Sequence, residues 1–170
     1  MTNQYENEKK AMITITSTHS DLENAIQTDF FEEIEEEQQQ EPEVFEMTTE
    51  GVIRTCDGRL EIEYFETELT GTEGACTCVS YALDNPGIVT MLRTGTVETA
   101  LTFEEGHRNV CVYNTEDCAF EVTVCGRKVV NDLTLDGGEI LLSYGLEIRG
   151  VVTELTTVLL TVHVCENGGE

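Results

Sequence analysis

The stretch GVIRTCDGRLEIEYF, residues 51–65, contains two runs of β-forming residues on either side of the turn dipeptide Asp57-Gly58. In the second run apolar residues alternate with charged ones, which is the pattern of a strand with one buried face. Asp-Gly between two such runs is the strongest short-range signal of a two-residue β-hairpin. This stretch therefore predicts two antiparallel strands joined by a tight turn.

Runs of the same kind follow one another along most of the chain. Short alternating segments rich in Val, Ile, Thr, Phe and Tyr each end in a turn signal. About eleven strands are expected, at 12–18, 44–54, 59–69, 75–83, 88–94, 97–103, 108–115, 118–125, 128–135, 139–149 and 151–165. Spacing of about 8–12 residues with hairpin-length links is typical of an all-β barrel or sandwich. Because a closed meander leaves no sheet edge, we predict a single meander antiparallel β-barrel.

Length and charge restrict the class of protein further. At 170 residues the chain is expected to form one domain. It carries 34 acidic and 9 basic residues, a formal net charge of −25. Binding to phosphates or anionic lipids needs clustered Lys and Arg, so we expect no nucleic acid and no membrane as partner. Such charge most often keeps a protein soluble, and it would also attract a basic protein partner.

The cysteines and the first residues of the chain indicate the compartment. The apolar run at 11–15 is too short for the core of a secretion signal, so we expect a cytoplasmic protein. Its seven cysteines are then expected to be reduced thiols, most of them small core residues. Together with the three histidines they show no zinc-binding spacing. We therefore expect no metal and no other cofactor.

An acidic segment near the start departs from the β pattern. Residues 21–50 contain twelve acidic residues and no basic one. Leu22, Ile26, Phe30 and Ile34 recur every four residues, which predicts a helix over 21–37 that serves as a plug, a lid or a surface helix. Like charges repel one another, so a mobile acidic loop is the alternative.

Three longer strings carry a resemblance to a known family. They are YFETELTGTEGACTCVSY (64–81), MLRTGTVETALTFEEGHRNVCVYNTEDCAFEV (91–122) and GGEILLSYGLEIRG (137–150). In this order and spacing they resemble the YwiB-like family of bacterial calycin-type β-barrels. The resemblance covers about residues 10–165, with an acidic insertion at about 20–42 where this chain departs from the family. Residues 1–9 and 166–170 are then expected to be a flexible N-terminus and a flexible tail.

The resemblance implies a lipocalin-like meander barrel, in agreement with the strand pattern. The family is a domain of unknown function, so it brings no activity, cofactor or catalytic residue. Calycin relatives often hold a small hydrophobic ligand inside the barrel, which is an analogy at the level of the fold alone.

Two charged residues fall on apolar faces of the predicted strands. Glu66 shares a face with Ile62 and Tyr64, and Arg93 shares a face with Met91. Because burying either charge alone is costly, the two are expected to pair inside the barrel. The pair is either a polar anchor in a ligand cavity or an ion pair that fixes the register of the strands.

Large aromatic residues are scattered over different predicted strands. They either line a ligand pocket or fill the interior of a small barrel. Together with the two charged residues they make up the candidate ligand-binding site in the barrel interior: Tyr64, Glu66, Arg93, Phe103, Tyr113 and Tyr144.

Motifs of known catalytic sites do not occur in the sequence. It contains no Gly-x-Ser-x-Gly nucleophile elbow, no Walker A loop and no Gly-x-Gly-x-x-Gly run. We therefore expect no catalytic residues and no enzyme. The first function hypothesis is non-catalytic binding of a small hydrophobic or amphipathic molecule in the barrel. The alternative is a structural module that docks a basic protein partner through its acidic surface. An enzyme of an unrecognised type would be indicated by a cleft with a strongly perturbed titratable group.

Overall fold

Ten β-strands make up the described part of the chain in the computed structural model, which describes residues 5–27, 41–67 and 73–166. They are β1 Glu6–Gln27, β2 Glu43–Cys56, β3 Arg59–Phe65, β4 Cys76–Ala82, β5 Asn85–Thr94, β6 Glu98–Glu104, β7 Arg108–Asn114, β8 Ala119–Asn131, β9 Gly138–Ile148 and β10 Val151–Val164. Each strand pairs with the next one in the chain, and β1 pairs with β10. All pairs are antiparallel, so the predicted closed meander barrel is confirmed.

The tight hairpin predicted from residues 51–65 joins β2 to β3. Arg59 pairs with Cys56, and Asp57 and Gly58 both have positive φ, as a two-residue turn of this kind requires. Buried and less buried residues alternate along β3, as the sequence pattern predicts for a strand with one face toward the core.

The expectation of eleven strands is wrong in one place. Residues 118–125 and 128–135 were predicted as separate strands, but most of the first and half of the second belong to the single strand β8, which shifts register at Gly126 against β9. An irregularity of this kind lets pairing resume instead of ending the strand. A Cβ at position 126 would collide with the backbone carbonyl of Glu104, so glycine is required there by close packing and does not mark a turn.

The predicted helix over 21–37 is also wrong for the residues that can be compared. Residues 21–27 continue β1, with Asp21 opposite Glu154 and Gln27 opposite Val151 on β10. β10 supplies pairing partners at both ends of this stretch, with an irregularity between Asp21 and Ile26, and such tertiary pairing overrides a weak helical pattern. Residues 28–37 lie outside the described residues, as does most of the segment expected to form the C-terminal tail.

The two ends of the barrel differ. One end is packed with apolar side chains, and its largest fully buried residues are Phe103, Ile13, Ile53, Leu60, Ile62, Ile140 and Leu160. Leu133, between β8 and β9, is buried against this core, and its carbonyl oxygen accepts a hydrogen bond from the phenol of Tyr81. The other end, where β1 finishes and β2 begins, is open among the described residues and contains the cavity described below.

The ladder between β6 and β7 is short. These two strands lie wholly within the described residues and pair only through Glu98 with Asn114 and Thr99 with Tyr113. By contrast, β1 and β10 stay in register from Ala11 opposite Val164 to Asp21 opposite Glu154. The wall of the barrel is therefore least continuous between β6 and β7.

The seven cysteines are free thiols, of which Cys118 and Cys165 are exposed. Within residues 5–27, 41–67 and 73–166, no group of three or more His, Cys, Asp or Glu side chains could hold a metal ion. The described part of the chain also has no helix with the length and apolar character needed to cross a bilayer.

Candidate functional site

A cavity of about 390 Å³ opens at the unpacked end of the barrel. Inward-facing side chains from eight of the strands surround it, most of them apolar or aromatic. They are Ile15, Ser17, His19, Phe45, Met47, Tyr64, Glu66, Met91, Arg93, Leu101, Tyr113, Tyr144, Leu146, Glu154 and Val158. Small-molecule sites in proteins are commonly concave and mostly apolar, with a few polar groups and a volume of about 300–1,000 Å³.

Five of the six candidate residues line this cavity, namely Tyr64, Glu66, Arg93, Tyr113 and Tyr144. The sixth, Phe103, does not. Its ring is 1% exposed and lies 4.8 Å from the ring of Tyr144, centroid to centroid. Phe103 follows the lining residue Leu101 by two positions on β6, so it faces inward one step deeper and belongs to the packed end.

Glu66 and Arg93 form the ion pair expected from the sequence. Arg93 Nη2 donates to Glu66 Oε1 at 3.2 Å, and the side chains are 19% and 2% exposed respectively. Thr77 of β4 lies between them: its hydroxyl donates to Glu66 Oε1 at 2.6 Å and accepts from Arg93 Nε at 3.4 Å. The pair therefore faces the cavity and also ties β4 to β5 and to the residue that follows β3.

Two buried tyrosines that line the cavity have raised pKa values. Burial raises the pKa of Tyr64 well above its usual range, and the negative charge of Glu66 adds to this effect. Burial likewise raises the pKa of Tyr144 to about 12, with a further contribution from Glu154. Both phenols therefore remain neutral hydrogen-bonding groups at the cavity wall at any physiological pH.

A second polar group lies at the mouth of the cavity and was not found from the sequence. His19 Nδ1 lies 2.9 Å from Glu154 Oε1, and His19 Nε2 lies 2.8 Å from Ser17 Oγ. Thr156 donates to the same carboxylate oxygen of Glu154 at 2.9 Å. The available signal was parity, because Ser17 and His19 continue the inward face of Ile15. The predicted strand ended at residue 18, so this face was not followed to His19.

A smaller acidic recess of about 240 Å³ adjoins the mouth. His19 and Glu154 line both the recess and the cavity, and the other recess residues are Asp21, Glu41 and Glu43. The open end of the barrel therefore combines an apolar interior, one internally neutralised ion pair and a rim of carboxylates.

The fold and this interior define a closed, antiparallel meander β-barrel. A family described as a domain of unknown function, DUF1934, matches residues 30–159, and the chain belongs to this family. Among solved structures it is similar to the crystal structure of the ywiB protein from Bacillus subtilis, with a TM-score of 0.69 and 18% sequence identity. That match covers 94% of this chain and 95% of the other, and it shows a shared fold. A search of curated proteins gave no match.

Proposed function

We propose that this protein binds a small hydrophobic or amphipathic molecule in the cavity at the open end of the barrel and does not transform it. The observation that carries the proposal is the contrast between the two ends of the interior. Small barrels are usually filled by their own side chains. Here one end is filled, whereas the other keeps a cavity of about 390 Å³ lined mainly by apolar and aromatic groups.

The polar groups of the cavity support binding with a defined orientation. The Glu66–Arg93 pair and the group formed by Ser17, His19 and Glu154 lie among apolar side chains. A few placed polar groups in an apolar cavity typically fix how a ligand enters. This use of the interior would agree with the ligand binding common in calycin-type barrels, and the free thiols of the chain suit the reducing cytoplasm.

The absence of catalysis is part of the proposal, and the position of Ser17 supports it. The order of Ser17 Oγ, His19 and the Glu154 carboxylate is that of a nucleophile, a base and an acid. However, Ser17 lies in the middle of β1 and is paired with Phe45 on one side and Val158 on the other. Backbone N–H groups in such a ladder are committed to neighbouring strands, whereas acyl transfer needs free donors for an oxyanion.

This part of the proposal is tested with p-nitrophenyl butyrate. We expect the wild-type protein and Ser17→Ala to release nitrophenol at the same rate, with no covalent butyryl adduct in the intact mass. Turnover that disappears in Ser17→Ala, or an acyl group on Ser17, would contradict non-catalytic binding.

Ligand binding itself is tested by filling the cavity from inside. Met91 faces the cavity and Leu92 is its outward neighbour on β5, 47% exposed. We expect Met91→Trp to lower the affinity for the neutral dye Nile red at least about tenfold, while Leu92→Trp binds like the wild type. Native mass spectrometry of protein purified from its own cells should show a small-molecule adduct that is lost in Met91→Trp. Equal dye binding by both variants would place the ligand elsewhere and refute the proposal.

Docking of a basic protein partner is the second candidate. The observation in its favour is the net charge of −25 together with exposed apolar side chains on the outer wall, such as Val110 and Val112 of β7. For this function the interior is only a scaffold. Met91→Trp should then leave association with the partner unchanged, and added salt should weaken it.

A further inference from the structure

The charges around the cavity determine which polar end of a ligand it accepts. We propose that the cavity selects amphipathic molecules carrying a positively charged amino group and rejects those carrying a carboxylate. This inference rests on the proposed function, because it specifies the ligand class for the same cavity. The site is the cavity itself, and the charged side chains decide its selectivity.

The first step concerns Arg93, the only Lys or Arg side chain that lines the cavity within the described residues. A free guanidinium there would attract a ligand carboxylate. Arg93 instead donates hydrogen bonds to Glu66 from Nη2 and to Thr77 from Nε. The side chain of Glu66 is 2% exposed, so if Arg93 turned to a ligand, this buried carboxylate would lose its counter-charge. The interior therefore offers an anionic ligand no available positive charge.

The second step concerns the mouth. Glu154 lines both the cavity and the acidic recess, and its side chain is 32% exposed, so its carboxylate is reachable from both. Asp21, Glu41 and Glu43 complete the recess. These four carboxylates carry a formal charge of −4, and the imidazole of His19 in the same recess could offset at most one unit of it. A carboxylate at the mouth is therefore repelled, and an ammonium is attracted.

The third step concerns the body of the ligand. Phe45, Tyr113, Tyr144 and Val158 provide aromatic and aliphatic walls below the carboxylates of the mouth. Within the described residues no group of three or more ligating side chains could hold a metal ion. The combination fits a molecule with one apolar portion inside the barrel and one amino group at Glu154, and it does not fit a bare divalent cation.

The test compares ligands that share one chain and differ only at the polar end. Octylamine, octanol and octanoate are titrated calorimetrically into the full chain at neutral pH and low salt. We expect octylamine to bind at least about tenfold more tightly than octanoate, with octanol between them. Raising NaCl to about 500 mM should narrow the difference, because exposed charges are then screened within a few ångströms.

A matched pair of variants assigns the effect to the mouth. Glu154→Gln should weaken octylamine about fivefold or more and leave octanol unchanged. Glu139→Gln, at an exposed carboxylate near the packed end of β9, should change neither. If Glu154→Gln fails to fold, the ranking of the three ligands on the wild type still decides the matter.

The outcomes separate this inference from the proposed function. Equal affinity for the three molecules, or tighter binding of octanoate, would overturn the amine selectivity while ligand binding stands. Failure of all three molecules and of Nile red to bind would refute the proposed function itself.

Discussion

Replacing Arg93 by alanine tests the polar centre of the open end most directly. Glu66 keeps one hydrogen bond from the Thr77 hydroxyl in this variant but loses its counter-charge. The carboxylate has little freedom to move toward water, because its side chain is 2% exposed and the backbone N–H of Glu66 bonds to the Ala75 carbonyl. Arg93→Ala therefore leaves a buried, unpaired negative charge.

The size of the loss follows from the burial of each partner. Removing one member of a buried ion pair costs about 3–5 kcal/mol. Because the Arg93 side chain is 19% exposed, water can enter part of the vacated space, and we expect the lower value, about 3 kcal/mol. Glu66→Gln should cost less, about 1–2 kcal/mol, since the remaining guanidinium can reach the open mouth. Replacing both residues, Glu66→Leu with Arg93→Met, should bring stability within about 1 kcal/mol of the wild type.

Urea unfolding followed by far-ultraviolet circular dichroism is the suitable assay, because the chain contains no Trp. An unfolding free energy within about 1 kcal/mol of the wild type at neutral pH would refute the reasoning. A double variant as unstable as Arg93→Ala would show that packing, and not the unpaired charge, causes the loss.

Three further predictions concern other parts of the barrel. Burial raises the pKa of Tyr144 from 10.0 to about 12, which favours the neutral phenol in the folded state, so stability is lost as the pH rises between these values. A plot of the free energy of unfolding against pH should therefore fall less steeply in that interval for Tyr144→Phe, by about 1.4 kcal/mol per pH unit. An unchanged slope would contradict the raised pKa of Tyr144. Gly126→Ala should lower the free energy of unfolding in urea by about 3 kcal/mol, because the added Cβ would collide with the Glu104 carbonyl. A urea midpoint equal to that of the wild type would argue against this close approach. Arg54→Ala should lower the free energy of unfolding by about 2 kcal/mol in the same assay, because its guanidinium binds two carboxylates of β3, Glu61 among them at 3.1 Å. An unchanged free energy of unfolding would mean that these outer ion pairs are solvated.

The barrel was predictable from the sequence because strand signals are local. Alternation along residues 59–65 and the Asp57-Gly58 turn are visible without any knowledge of the neighbouring strands. The errors occurred where a long-range partner decides the outcome. Gly126 is a turn signal by itself, but β9 on one side and Glu104 on the other make it part of a continuous strand. Residues 21–27 have a helical spacing that pairing with β10 overrides.

The candidate site was predictable to the extent that parity within single strands determines it. Glu66 and Arg93 share faces with apolar neighbours, so their inward orientation could be read from the sequence. The depth of a residue along the barrel axis could not be read, and Phe103 was therefore placed in the cavity instead of below it. The contact of His19 with Glu154 joins residues 135 positions apart, and no local pattern encodes it.

The pairing of the first strand with the last also determines when the barrel can form. While the chain is being synthesised, β1 has only β2 as a neighbour until β10 has emerged. Contacts of this sequence separation are slow to form, because the intervening chain must be ordered first. Until closure, both outer strands expose unpaired backbone groups that can join another molecule. The cavity, which takes lining residues from β1 and β10 alike, is complete only after this last folding step.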